Sequence, residues 1–182
     1  MIGFRSRRLL RALADGAEAE RWEAAKQLSQ TDDARTVRKV EHLLQSNATE
    51  NARGAAAYVL GFSGDSDMAT SLARVLSDPT EMASVRAYAA EALGHLLQYQ
   101  TVIAEVRMAI VGGLRQPEPE IRFWSAFAAG VLGLQESRRD LERLQRTDHE
   151  CVEGWWSVAE EADWALRLLD GEEDPPLPHK RA

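Results

Sequence analysis

The sequence predicts an all-α chain built as a stack of five helical hairpins. Three observations carry that prediction. The 182 residues include 28 Ala and 21 Leu against 11 Val, 4 Ile and 7 Thr. Unbranched side chains lose little rotamer freedom in a helix, so this balance favours helix over strand. A motif rich in alanine and opened by an arginine recurs at nearly constant spacing. Residues that start turns or cap helices stand a few positions before each copy.

Composition bounds the rest. With 45% apolar and 28% charged residues, the chain can bury a sizeable core. One cysteine excludes a disulfide scaffold. A formal net charge of -7 and a pI near 5.2 argue against general nucleic-acid or anionic-membrane binding. No apolar run reaches the length of a membrane span, and no apolar segment in the N-terminal stretch resembles a secretory leader. The lone Cys151 fits a reducing compartment, so a cytoplasmic location is expected.

The first hairpin is expected over residues 3–30. Met1 to Ala14 carries Arg5, Arg7, Arg8 and Arg11 and no acid. A transit peptide has that composition, but an amphipathic helix with Phe4, Leu9, Leu10 and Leu13 inward explains it better. Asp15-Gly16 turns the chain into a second helix over 17–30. The next hairpins follow at 34–61, 66–98, 101–134 and 136–169. Their first helices (A) span 34–46, 66–77, 101–115 and 136–146, where Leu43/Leu44, Leu72/Leu76, Val102/Val106/Ile110 and Leu141/Leu144 recur at helical spacing. Their second helices (B) span 49–61, 81–98, 118–134 and 150–169. Asn47, Asp78-Pro79, Gln116-Pro117 and Thr147-Asp148 supply the turns between them. The motif anchors Arg21, Arg53, Arg86, Arg122 and Glu153 are 32, 33, 36 and 31 residues apart, which means stacked units rather than one closed core. Ala56, Ala57, Ala89, Ala90, Ala92, Ala126 and Ala128 let neighbouring B helices approach closely. The glycine near the end of each B motif is read as a left-handed cap. From Asp170 onward the composition turns acidic and then proline-rich, so 171–182 is expected to be a disordered tail, with Pro175 to Pro178 a weak polyproline II candidate.

Asp78-Pro79, Val85-Arg86 and the Ala89 to Gly94 stretch resemble the HEAT repeat, and Gln116 to Arg122 has the same spacing with Gln in place of the usual Asp. The resemblance spans Gly3 to Asp170 and implies a right-handed α-α solenoid of about five HEAT-like hairpins, with A helices outside and B helices lining a concave face. It also implies a ladder between the turn acid and the B-helix arginine, so Arg53, Arg86 and Arg122 are read as structural. Glu153 breaks the pattern in the last unit.

Under that assignment the faces differ in charge. The A spans hold 14 basic and 6 acidic residues, the B spans 6 and 13. Much of the B acidity sits in first turns, where carboxylates complement the helix dipole. Arg35, Arg38 and Lys39 on an A helix form a solvated face. The B helices also carry aromatic residues, and a concave aromatic ridge is where a partner lies. The candidate partner-binding set is Trp22, Tyr58, Phe62, Tyr88, Glu91, His95, Phe123, Trp124, Phe127 and Trp155.

Catalytic signatures are missing. Gly61 to Gly64 is not a nucleophile elbow, and there is no phosphate loop, dinucleotide fingerprint or zinc helix. Asp148-His149-Glu150-Cys151 clusters potential ligands, but four consecutive residues suit a turn and cap better than one ion. Glu160 and Glu161 are adjacent and read as solvated. No catalytic residue, metal or cofactor is expected.

The sequence therefore points to a non-enzymatic protein-binding module for a basic protein or peptide, one version being a bacterial inhibitor or immunity protein against a basic toxin. Two other classes stay open. One is a HEAT-like enzyme: an alkyl-base DNA glycosylase using Trp124 and Arg122, or a phycobilin lyase. The other is a scaffold subunit of a larger assembly.

Overall fold

The computed structural model of the chain describes residues 3–173 and 175–178. Ten α-helices run through them: α1 Phe4–Asp15, α2 Glu18–Leu28, α3 Ala34–Leu44, α4 Glu50–Ser63, α5 Met68–Ser77, α6 Ala83–Leu97, α7 Ala104–Gly113, α8 Pro119–Val131, α9 Arg138–Thr147 and α10 Val158–Leu169. One 3-10 turn, Gln135–Ser137, precedes α9. No strand occurs among the described residues beyond a single antiparallel bridge between Cys151 and Ser157. No helix of the described residues is long and apolar enough to cross a membrane.

The helices pair in order into five hairpins, and the hairpins stack. Even-numbered helices form one wall, α4 on α6, α6 on α8 and α8 on α10, and these junctions are more extensive than those between odd-numbered helices. A stack with one tighter wall curves toward that wall, so the even helices line the inner face.

Glycine sets how close that wall packs. A Cβ added at Gly61 would lie 2.9 Å from Ala92 Cα, and one at Gly130 would lie 2.7 Å from Ala165 Cα. Both obstacles are backbone, which cannot give way. These glycines are therefore contact points inside helices and not the left-handed caps expected from the sequence. Positive φ is confined, among the described residues, to Gly133, Gly154 and Gly171.

The repeated arginine bonds the end of the first helix of its own hairpin or the turn that follows it. Arg21 Nε donates to Leu13 O (3.1 Å) and its Nη2 to Gly16 O (2.7 Å). Arg53 Nε donates to Leu44 O (2.8 Å), and Arg86 Nε to Leu76 O (2.9 Å). Arg122 Nη1 donates to Gln116 O (2.9 Å) and Pro117 O (2.6 Å). The bonds to Leu13, Leu44 and Leu76 satisfy carbonyls that a helix end leaves without an intrahelical partner, and those to Gly16, Gln116 and Pro117 fasten the turn that follows the helix. Two of the four also reach the next hairpin: Arg53 grips Glu81 with both terminal nitrogens, and Arg122 Nε lies 2.6 Å from Asp148 Oδ2. Where Gln116 replaces the turn acid, the structure holds Arg86 through Leu76 instead. The ladder is thus partial, and a helix-capping role underlies it.

Three expectations need correction. Phe4 is 84% exposed and does not point inward, although Leu9 and Leu13 do. The last B helix begins at Val158, eight residues later than expected. Ser157 accepts from Glu160 N while Glu160 returns a bond to Ser157 N, and this reciprocal box places the helix start. Of the expected tail, residues 174 and 179–182 lie outside the described residues; Pro175 is buried, and its carbonyl accepts from Trp164 Nε1 (3.0 Å).

Candidate partner-binding groove

The inner wall carries an aromatic row that crosses all five hairpins. Trp22 on α2 meets Tyr58 on α4 edge to face (5.7 Å between centroids) and Tyr88 on α6 at a tilt (5.7 Å). Tyr58 contacts Phe62, Phe62 stacks on His95 at 4.5 Å, and His95 contacts Phe127 of α8. Phe127 touches Trp124 edge to face, and Trp124 touches Trp155 in the same way at 5.1 Å. The sequence-predicted set therefore converges on one face, with one exception. Phe123 is 1% exposed and fills the core beneath Trp124, Trp155 and Trp156, so it presents nothing to a partner.

Trp155 reaches the row from an unexpected place. It belongs to the loop before α10, where Val152 N donates to Trp156 O (3.1 Å) and Trp155 N to Val152 O (2.9 Å). Gly154, at φ +76°, makes that tight turn possible. Trp156 anchors the loop: it is buried, and its Nε1 donates to Glu161 Oε2 at 2.6 Å. Glu161 is only 2% exposed, contrary to the solvated reading, and burial pushes its carboxyl up to about 8.

The row encloses a cavity of about 410 Å³. Trp22, Tyr58, Tyr88, Trp124 and Trp155 supply aromatic wall, with Ala87, Val152 and Ser84 between them. Among the described residues its charged lining is Glu91, Glu120 and Glu153, with no lysine or arginine. Glu120 and Glu153 are exposed, whereas Glu91 is largely buried, with its carboxyl pushed up to about 7 by burial. Burial pushes His95 down, which favours its neutral form; His95 Nε2 lies 4.0 Å from Glu91 Oε1. The Tyr88 phenol is raised by burial and by the charges of Glu91, Glu120 and Glu18. Several elements thus place negative potential in the same groove.

Three participants were missed from sequence. Trp164 of α10 stacks on Phe127, nearly parallel at 6.0 Å, and so extends the row to the last helix. Its signal was legible, since Trp164 lies on the same stretch as the expected B helix. Glu120 lies in the first turn of α8 and Glu153 at the broken anchor, and only the fold brings them to one cavity. Arg122, weighed as a lesion contact, is tied to Asp148, Gln116 and Pro117 and is buried. Asp148 itself serves as the acceptor for Arg122, and among the described residues no group of His, Cys, Asp and Glu gathers for a metal.

The family model for HEAT repeats matches residues 6–83, and the hairpins beyond continue the same stack. No curated protein matches the sequence. Among solved structures, a chain from the complex of CpcE and CpcF of phycocyanin lyase from Nostoc sp. PCC7120 is similar with a TM-score of 0.71, at 16% identity over 88% of this chain and 97% of that one. An engineered protein matches with a TM-score of 0.61 at 19% identity, over 92% of this chain and 80% of its own. A computationally designed armadillo repeat protein for modular peptide recognition matches with a TM-score of 0.51 at 15% identity, over 88% and 80%. At these identities the likeness is one of fold.

Proposed function

We propose that this chain is a non-enzymatic binding module whose inner groove holds a basic protein or peptide. The observation that carries the reading is the cavity lining: five aromatic side chains and three carboxylates, with no basic residue among them. Aromatic side chains supply large contact area at little entropic cost and dominate binding hot spots. The exposed carboxylates of Glu120 and Glu153 steer a basic partner and speed its association. The armadillo-like design that shares the fold was made for peptide recognition, which agrees with this use of a helical stack. A bacterial inhibitor seated on a basic toxin, such as a nuclease, is the most specific version. A scaffold subunit would use the same face.

The test is partner binding by the intact chain and by Trp124→Ala and Tyr88→Ala. Loss of binding in both variants with the fold retained, and affinity that falls as salt rises, support the reading. Binding that both variants leave untouched overturns it.

A second reading is favoured by one observation, the similarity to a chain of the phycocyanin lyase complex over nearly its full length. The chain would then handle a tetrapyrrole pigment, or act as one subunit of a pair. The acidic lining disfavours a pigment that carries carboxylates of its own. A bilin titration followed by visible absorption decides: a saturable spectral shift supports this reading, and an unchanged spectrum removes the pigment-handling form of it.

A further inference from the structure

We infer that the cavity between Trp22 and Trp155 is a receptor for one arginine side chain of the partner, its guanidinium lying against aromatic rings and hydrogen-bonded to carboxylates. The inference rests on the protein-binding reading of the groove and adds what the groove selects.

Size comes first. About 410 Å³ lies near the lower end of ligand-sized pockets. That space is ample for one long side chain. Wall chemistry comes second. Trp22 and Tyr58 meet at 83°, and Trp124 and Trp155 meet at 80°. Rings crossed at right angles offer π faces in more than one direction, and a cation within about 6 Å of such a face is attracted by the ring quadrupole. Charge comes third. Glu120 and Glu153 are exposed carboxylates on separate elements, α8 and the Trp155 loop, and both line the same space as Glu91. Nothing basic in that lining neutralises them.

The choice among cations follows from hydrogen bonding. A quaternary ammonium suits an aromatic wall but has no N–H to offer three carboxylates. A lysine ammonium has donors, but it is a compact and strongly hydrated charge whose desolvation is costly. A guanidinium is planar, weakly hydrated and carries five donors in a fork that matches carboxylate geometry. Its flat face can lie on the rings while its edge bonds the acids.

The experiment is selection of a random-peptide display library on the intact chain, followed by binding of the synthesised winners. Each winning arginine is replaced in turn by lysine and by citrulline, which keeps the shape and removes the charge. The inference expects winners whose binding falls roughly ten-fold with lysine and more with citrulline. It also expects that binding weakens in Glu120→Gln and Glu153→Gln, whose exposed sites leave the core intact, with thermal unfolding as the check on fold. Peptides that compete at the groove without needing arginine overturn the inference and leave the protein-binding reading standing. A library that yields no groove binder counts against both.

Discussion

The third and fifth hairpins are two solutions to one architectural problem. In the third, α6 runs unbroken for 15 residues and sits between α4 and α8. Gly94 comes up against Phe127 and Ala128 of α8 so closely that an added Cβ would lie 2.7 Å from the Phe127 ring. In the fifth, the first turns of the expected helix are replaced by a loop, and α10 keeps only 12 residues. The close contact survives where α10 is helical, at Gly130 against Ala165. The regular unit thus supplies wall, and the irregular unit supplies Glu153 and Trp155, which close the end of the cavity. The degenerate unit adds Val152, Glu153 and Trp155 to a cavity otherwise lined by the regular ones.

The contrast can be broken most severely at the joint between the fourth and fifth hairpins. The Arg122 and Asp148 side chains are 10% and 9% exposed, so Arg122→Met leaves a buried carboxylate without its partner. A loss of about 3–5 kcal/mol in chemical denaturation is expected. The Glu81 carboxylate of the Arg53–Glu81 joint is just as buried, but it keeps a bond from Met82 N and its arginine is more exposed, so Arg53→Met should cost less, about 2–3 kcal/mol. Equal losses would mean that the two joints do not differ. Gly130→Ala forces α8 and α10 apart and should cost roughly 1–3 kcal/mol.

Glu161 sharpens the comparison through pH. Its folded carboxyl is held up to about 8, and that of Glu91 up to about 7, both far above the ordinary value of 4.5. The folded chain therefore keeps protons that the unfolded chain releases. Their contribution to stability is full below about 4.5, falls as pH rises through 7 to 8, and is flat beyond. Gln at 161 can still accept the Trp156 bond but never ionises. Glu161→Gln should raise the thermal midpoint at pH 8, by the equivalent of about 1–2 kcal/mol, and change little at pH 5. An equal effect at both pH values would show that ionisation is not the cause. The smallest effect is expected at Gly112, where an added Cβ meets nothing within 4 Å. Gly112→Ala should stabilise α7 by roughly 0.5–1 kcal/mol, read as a higher denaturation midpoint.

Much of this fold was legible because each hairpin repeats the same local physics. Turn residues, apolar spacing and the arginine recur, and nine of ten helix starts lie within three residues of their expected positions. The tenth differs because the repeat copy from Val152 forms a loop and the helix starts at Val158. Two local cues mark this: Gly154 takes positive φ, and Ser157 to Glu160 spells a capping box. The aromatic row was legible as a set of B-helix residues. Burial was not, because Phe123 and Trp124 are neighbours on one helix and only packing against the Trp155–Trp156 loop sends one inward. Glu161 was likewise invisible, since nothing local distinguishes it from Glu160 until Trp156 is placed over it.

The central claim is that the inner wall, not the outer one, grips the partner. A photo-crosslinking amino acid placed at Tyr88 on the inner wall, and separately at the exposed Arg38 of α3, tests this in the native cell. The account predicts a discrete protein adduct from position 88 and none from position 38. An adduct formed from position 38 alone would contradict it.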